Sequence, residues 1–518
     1  MKCTVFSSGK IYPDTVEQFV TRRIESSMDK EFLLISLLVS LVLIISVFAS
    51  KATSRFGVPI LLIFIGIGML LGTDGLGVVH FNDYAATNLF GTFALIFILF
   101  AGGFSSQPKI LRPIWKEGVI LATFGVFLTT FFMTCLIHYT MNWNWLTSAI
   151  LSAAVSSTDA ASVFGILRTQ KMEIRSKIRS LVELESGSND PMSVVILLLL
   201  IQFSKSPGEA TFFSIAQNFF VQVSLGGLAG WFLAKLLVRL INWLKLEFEG
   251  LYPVLTMSGI VCIYALTEYC GGNGFLAVFI AGLSLSGDKF LSKKALLVFH
   301  DGLSWLMQVG MFLTLGLLVT PSELNGVINH SIVFAVALIF IARPFAVLMC
   351  LIPFGYRNLR ELAFIIWGGL KGAVAIVLAT HLLMEDIPYA KIMFNVIFII
   401  VIISMALQGS SIGWIARILG ICVPKSSASC FKPYELVRKT IEFIEFEIPL
   451  SSTLAGRAIF ELKLPQDVLI VLVHRDDDDF IPEGNTELCE HDRIVCLVNR
   501  HAIPEMKHLL EASQVIQS

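Results

Sequence analysis

Three carboxylates and one lysine interrupt stretches that are otherwise apolar enough to lie in a membrane. Ser156-Ser157-Thr158-Asp159 and Glu185-Ser186-Gly187-Ser188-Asn189-Asp190 carry the acids, and Gly368-Gly369-Leu370-Lys371-Gly372 carries the opposite charge. An acidic side chain at mid-bilayer costs about 2.5–3.5 kcal/mol on insertion scales, so three together point to an ion path or a proton relay. On a helix, Ser186 and Asp190 share a face, while Glu185 and Asn189 form the next row. The hydroxyls of Thr158 and Ser186 with the Asp190 carboxylate would make a hard oxygen site for Na⁺ or K⁺. In any buried carboxyl, burial favours the protonated form and a bound cation the charged one. Competition of proton and cation for Asp190 is all that exchange requires. The structural alternative is that these acids pair with Lys371, Arg343 or the backbone and hold a helix bundle together.

The elements that must position these residues are read from hydropathy. The chain has 518 residues, 55% hydrophobic and 15% charged, with mean hydropathy +0.77. Soluble domains average about a quarter charged residues, so most of this chain belongs in lipid. A net charge of −1 gives no reason to expect a nucleic-acid partner. About thirteen apolar stretches of near-spanning length recur between residues 32 and 416, the ninth (274–286) unusually short. Basic residues concentrate in alternate loops: Lys51 and Arg55, Lys109 to Lys116, Arg168 to Arg179, Lys235 to Lys245, Lys289 to Lys294, Arg357 and Arg360. The intervening loops hold only Lys205 and Lys391. The positive-inside rule makes the first set cytoplasmic, the N-terminus periplasmic and the C-terminus cytoplasmic.

The expected organisation is a polar extension at 1–30 and a transmembrane exchanger domain at 31–417. A linker at 418–440 and a small cytoplasmic α+β domain at 441–518 follow. Met28 is an alternative translation start. In the last segment, Asp467–His474 and Arg493–Val498 read as strands and Ala502–Ala512 as a closing helix. The polar interruptions fall in the fifth span (146–167) and the twelfth (361–383). If spans 1–6 and 8–13 are inverted repeats, these two hold equivalent places. Paired broken helices of this kind mark substrate sites in secondary transporters. Their ends offer carbonyls to a cation and amides to an anion, and Lys371 would neutralise the partial charges at the crossing.

Ser157-Thr-Asp-Ala160, Glu185-Ser-Gly-Ser-Asn-Asp-Pro191 and Gly369-Leu-Lys-Gly-Ala-Val374 resemble the NhaP-type monovalent cation/proton antiporters. Phe56-Gly-Val-Pro-Ile-Leu61, Asp301-Gly-Leu-Ser-Trp-Leu306, Met311-Phe-Leu-Thr-Leu-Gly-Leu-Leu-Val319 and Ala342-Arg-Pro344 extend the match. It is nearest to bacterial potassium/proton antiporters of the cell-volume-regulation protein A type, which carry a C-terminal TrkA-C (RCK-C) domain. The resemblance implies an inverted-repeat fold, an elevator-like alternating-access cycle and a homodimer. It implies that Asp190 is the shared proton and cation carrier and that Asn189 precedes it. Thr158, Glu185 and Ser186 would be cation ligands, with Asp159 at the crossing. Asn-Asp in place of Asp-Asp implies electroneutral exchange. Relatives commonly have arginine at Lys371 and often an aspartate at Ala101, so stoichiometry and pH response are the properties in which this chain would differ.

TrkA-C domains in transport proteins often bind a cytosolic nucleotide. Here no phosphate loop or glycine-rich fingerprint supports one, so dimerisation alone is the competing role. No resident cofactor or metal is expected beyond the transported cation. Asp476–Asp479 reads as a solvated hairpin turn rather than a divalent site. His381 reads as a packing residue, and the nine scattered cysteines as buried packing residues rather than disulfides. No Ser/His/Asp triad, HExxH or Walker loop supports catalysis, so an enzyme is not expected. The expectation is therefore an all-α polytopic exchanger of K⁺, Na⁺ or both for H⁺ in the bacterial inner membrane. The rival is a cation channel gated by the C-terminal domain, although no filter sequence such as TVGYG is present.

Overall fold

The computed structural model describes residues 60–77, most of 83–423 and most of 441–499, with a few helical positions between 33 and 44. The polar extension, Met28, most of the first expected span, residues 424–440 of the linker and the expected closing helix lie outside the described residues. The chain divides into two compact units, 1–423 and 424–518.

The first unit is helical. In chain order it runs α1 (Ile60–Leu71), α2 (Tyr84–Ser105), α3 (Trp115–Met141), α4 (Trp145–Ala154), α5 (Ala160–Thr169), α6 (Ser176–Lys205) and α7 (Phe212–Leu244). It continues with α8 (Leu251–Tyr269), α9 (Gly274–Gly287), α10 (Lys293–Leu318), α11 (Ile328–Phe354), α12 (Leu359–Trp367), α13 (Ala373–Met384) and α14 (Ala390–Ile418). Among the described residues eight helices are long and apolar enough to cross a membrane, and α1, α4, α5, α9 and α13 are shorter apolar helices. The expected fifth and twelfth spans are each divided in two, as α4 with α5 and α12 with α13. Single π turns, Leu338–Ala342 in α11 and Met405–Gly409 in α14, offset those helices at sites that matter below.

The short ninth stretch has a packing explanation. At 1.5 Å per residue the 14 residues of α9 run about 21 Å, less than the hydrocarbon thickness. It is packed against α2 and α7 inside the protein, and Asn273 caps it, its Oδ1 accepting from the Leu276 amide at 2.7 Å. Lipid gives helices no hydrophobic drive to associate, so close backbone approach takes its place. Gly103 of α2 and Gly282 of α9 supply it reciprocally. A Cβ on Gly103 would press on the Phe279 carbonyl, and one on Gly282 on the Phe100 carbonyl. Gly282→Val is therefore expected to cost about 1–3 kcal/mol or more through overpacking, read as a lowered unfolding temperature in detergent. On the outer side, α7 exposes Phe220, Leu228, Trp231, Phe232 and Trp243, a surface suited to lipid.

Ion pairs respect the alternation of loop charge. Arg168–Asp301, Arg175–Glu361 and Lys235–Asp288 join segments on the basic side, while Lys205–Glu385 and Lys391–Glu323 join segments on the other. His381 is less isolated than expected, since its Nε2 lies 3.6 Å from Glu385. The cysteines depart from expectation in part: Cys350 and Cys496 are buried, but Cys262, Cys270 and Cys489 are exposed, and the seven among the described residues are free.

The second unit holds a four-stranded antiparallel sheet of order β3-β6-β4-β5, with β3 Ile441–Glu447, β4 Val468–Arg475, β5 Asp478–Phe480 and β6 Arg493–Asn499. A two-stranded ladder in the first unit, β1 (Glu173–Ile174) with β2 (Cys422–Val423), precedes it. Period-two alternation turns Ile494, Cys496 and Val498 of β6 inward onto Ile448, Ile470, Val473 and Leu488. Asp478 and Asp479 belong to β5, the returning strand of the hairpin from β4. Arg475 Nε and Nη2 each donate to Asp492 at 2.8 Å, and the Cys489 amide donates to it at 2.7 Å. Burial opposes the Asp492 charge, but these donors hold the carboxyl below the ordinary carboxylate range. A lowered folded value means the stabilisation is complete at neutral pH and lost as pH falls through it. Asp492→Asn should accelerate amide exchange in β4 and β6 at neutral pH, with the difference from wild type shrinking below about pH 4.

Candidate functional site: a helix crossing beside a buried aspartate

The two helix breaks meet. The Asp159 amide, between α4 and α5, donates to the Leu370 carbonyl, between α12 and α13, at 2.7 Å. A broken helix leaves carbonyls at one end and amides at the other without partners, with partial charge to match. Lys371 serves the carbonyls that follow α4: its Nζ donates to Ser156 O at 3.1 Å and to Ser157 O at 2.7 Å. Asp159 serves the amides. Its Oδ1 accepts from the Ser162 amide at 3.0 Å and its Oδ2 from Ser162 Oγ at 2.6 Å, which caps α5. The Ala373 amide at the start of α13 also lies against this carboxylate, and Gly372 is pressed so close to it that a Cβ has no room.

Helix α6 lies alongside, and the spacing of its polar residues decides their roles. Ser186 Oγ accepts from the Ala160 amide at 2.9 Å and donates to the Thr158 carbonyl at 2.7 Å. Asn189 Oδ1 accepts from the Thr158 amide at 3.3 Å, and its Nδ2 donates to Thr158 Oγ1 at 2.7 Å. The α4–α5 break is thus stitched to α6 by its own backbone. Pro191 lacks the amide that would continue the ladder to Gly187, which loosens α6 at this level. Asp190 is 6% exposed, and its Oδ1 is buried with no hydrogen-bond partner.

A cavity of about 160 Å³ reaches this carboxylate. Its mouth carries Arg168, Arg179, Glu183 and Asp301, and its inner wall includes Asp159, Ser186, Gly187 and Asp190. Ser186 and Asp190 therefore share the cavity face, while Glu185 and Asn189 face away from it, each 1% exposed. Thr158 is likewise behind the wall, its hydroxyl engaged by Asn189.

Glu185, expected among the cation ligands, is engaged by Arg343. Arg343 Nη1 contacts its Oε1, and Nη2 donates to its Oε2 at 2.9 Å, so both oxygens are taken by one guanidinium. The π turn at Leu338–Ala342 directly precedes Arg343 on α11. Arg343 Nη2 also lies 3.3 Å from the Ile365 carbonyl near the end of α12. Two further polar residues, Ser404 and Gln408 on α14, lie beside the site, and the motifs do not include them. The signal available was a glutamine and a serine in a run of isoleucines, the kind of intramembrane polar residue that marks function.

Comparison with known proteins places this geometry. The model of the sodium/hydrogen exchanger transmembrane domain matches residues 35–418, and that of the TrkA-C domain matches residues 443–511. The chain belongs to the sodium/hydrogen exchanger family. The K(+)/H(+) antiporter NhaP of Alkalimonas amylolytica is 35% identical over 480 residues, 92% of this chain and 83% of that protein. The K(+)/H(+) antiporter NhaP2 of Shewanella oneidensis is 37% identical over 467 residues, 88% of this chain and 79% of that protein. Among solved structures, the sodium proton antiporter MjNhaP1 of Methanocaldococcus jannaschii superposes with a TM-score of 0.65 at 21% identity, covering 75% of this chain and 99% of its own. The exchanger fold expected from the motifs is thus the fold of this chain.

Proposed function

We propose that this exchanger-family protein trades a monovalent cation, K⁺ as in the named NhaP relatives, Na⁺ or both, for H⁺ through Asp190. The observation that carries the reading is the isolation of that carboxylate. Asp159 is satisfied by helix amides and Glu185 by Arg343, whereas Asp190 Oδ1 has no partner and its residue lines the cavity. A carboxyl on the cavity lining with one oxygen left unpartnered is free to take either a proton or a cation. With one such carboxylate, the exchange is one proton for one cation and electroneutral. Asp159 and Ser186 are the further oxygens that share the wall with it. Thr158 and Asn189 act behind the wall, fixing the break, and Glu185 acts through its ion pair.

The same geometry disfavours the channel reading. Asp190 lines the cavity, whereas Glu185, Asn189 and Lys371 do not and are each 1% exposed. Broken helices that cross beside a buried binding group suit alternating access. The basic loops, Arg168 and Arg179 of the cavity lining among them, support a cytoplasmic mouth in a bacterial inner membrane, with the N-terminus periplasmic. In that setting proton inflow drives cation export and serves cytoplasmic cation, pH and volume homeostasis. The protein works as a homodimer, and its TrkA-C domain adds dimer contacts or senses a cytosolic nucleotide.

The test is proton movement into or out of proteoliposomes on adding K⁺ or Na⁺, with membrane voltage clamped at zero. Cation-evoked proton movement that persists under the clamp supports exchange, and half-saturating concentrations rank the ions. Cation entry without proton movement brings the channel forward.

A further inference from the structure

Lys371 holds the crossing only if its own backbone is held, and the break it sits in has few internal bonds to do so. The hold comes from α14. Ser404 Oγ accepts from the Lys371 amide at 2.9 Å and donates to Gln408 Oε1 at 2.7 Å. Gln408 Nε2 in turn donates to the Trp367 carbonyl, the last of α12, at 3.0 Å. Ser411, one turn further, accepts from Trp367 Nε1 at 2.9 Å. Both ends of the break, the carbonyl of Trp367 and the amide of Lys371, are therefore closed by one relay, Ser404–Gln408. Both residues are buried, at 0% and 1% exposure.

The π turn Met405–Gly409 lies between and over these residues. Such a turn widens the helix by one residue and recurs at functional sites. Here it presents Ser404, Gln408 and Ser411 together to the broken α12–α13 segment. No one of them lines the cavity.

We propose that Ser404 and Gln408 are positioning residues for transport: they fix Lys371 and, through its bonds to Ser156 and Ser157, the oxygen geometry at Thr158 and Asp159. This rests on the exchange reading. Losing the relay lets the Lys371 ammonium shift from the α4 carbonyls, which displaces the segment stitched to Asn189 and weakens cation binding more than turnover.

The test uses Gln408→Met, which keeps volume but makes neither bond, Ser404→Ala, which loses the acceptor, and Ser404→Thr, which keeps it. In proteoliposomes the first two are expected to raise the half-saturating cation concentration about tenfold, as expected for one buried carbonyl or amide left unpaired. Their maximal rate should fall less, and Ser404→Thr, which keeps the hydroxyl acceptor, should lie closer to wild type than Ser404→Ala. A second readout does not need transport: reductive methylation of purified protein followed by peptide mapping. Lys371, 1% exposed, should be protected in wild type and in Ser404→Thr and become modified in Gln408→Met and Ser404→Ala. Equal protection in all four proteins overturns the positioning role, as does an unchanged half-saturating concentration in Gln408→Met. Absence of exchange in wild type overturns the exchange reading instead, and the methylation pattern still decides whether the relay holds Lys371.

Discussion

Asp190→Asn is expected to reduce cation-evoked proton movement to that of protein-free liposomes while leaving insertion and folding intact. The substitution preserves shape and removes only the ability to ionise. Asp190 Oδ1 has no hydrogen-bond partner, so no structural bond to that oxygen is broken. Burying a neutral amide costs less than burying a charge. The variant should therefore unfold at the same temperature as wild type or a higher one. Loss of function without loss of stability is the signature of a residue kept for transport. A stable Asp190→Asn protein that still exchanges would move the carrier role elsewhere, with Asp159 next on the cavity wall.

Arg343→Met should have the opposite signature, a large loss of stability. The Arg343–Glu185 pair is buried, with side chains 6% and 1% exposed. Removing one partner of such a pair typically costs about 3–5 kcal/mol, because the remaining charge is left without compensation. It also takes a donor from the Ile365 carbonyl near the end of α12. The double variant Arg343→Met, Glu185→Met should recover much of the loss, since two apolar side chains leave no unpaired charge. Thermal unfolding of wild type, both single variants and the double variant completes the cycle. An Arg343→Met protein as stable as wild type, or a double variant no better than the single, would show that the pair does not hold the bundle.

The periodic features of this site were legible from residue types. The two breaks follow from Ser156–Asp159 and Gly368–Gly372, and the division of α6 into a cavity row and a rear row follows from 3.6-residue spacing. The family motifs added the fold. Pairing was less legible. Arg343 could be named only as one of several partners for the acids, because its selection of Glu185 depends on where α11 lies and on the π turn before it. Gln408 is not legible in the sequence: its partner is the carbonyl of Trp367, 41 residues away, and a bond to a carbonyl leaves no trace in side-chain pattern. The short α9 could not be explained from its own length, since the reason lies in Gly103 on α2. Hydroxyls behave likewise. Thr158 and Ser186 suit a cation by type, but the structure engages the first with Asn189 and the second with two backbone groups.

If proton and cation compete for the one carboxyl of Asp190, cation binding must release a proton. Purified protein in weakly buffered detergent solution would be titrated with K⁺ or Na⁺ while released protons are counted against bound cation by calorimetry in buffers of different ionisation enthalpy. Wild type should release close to one proton per cation bound where Asp190 is protonated beforehand, and Asp190→Asn should release none. Cation binding without proton release in wild type, or the same release from Asp190→Asn, would contradict that competition.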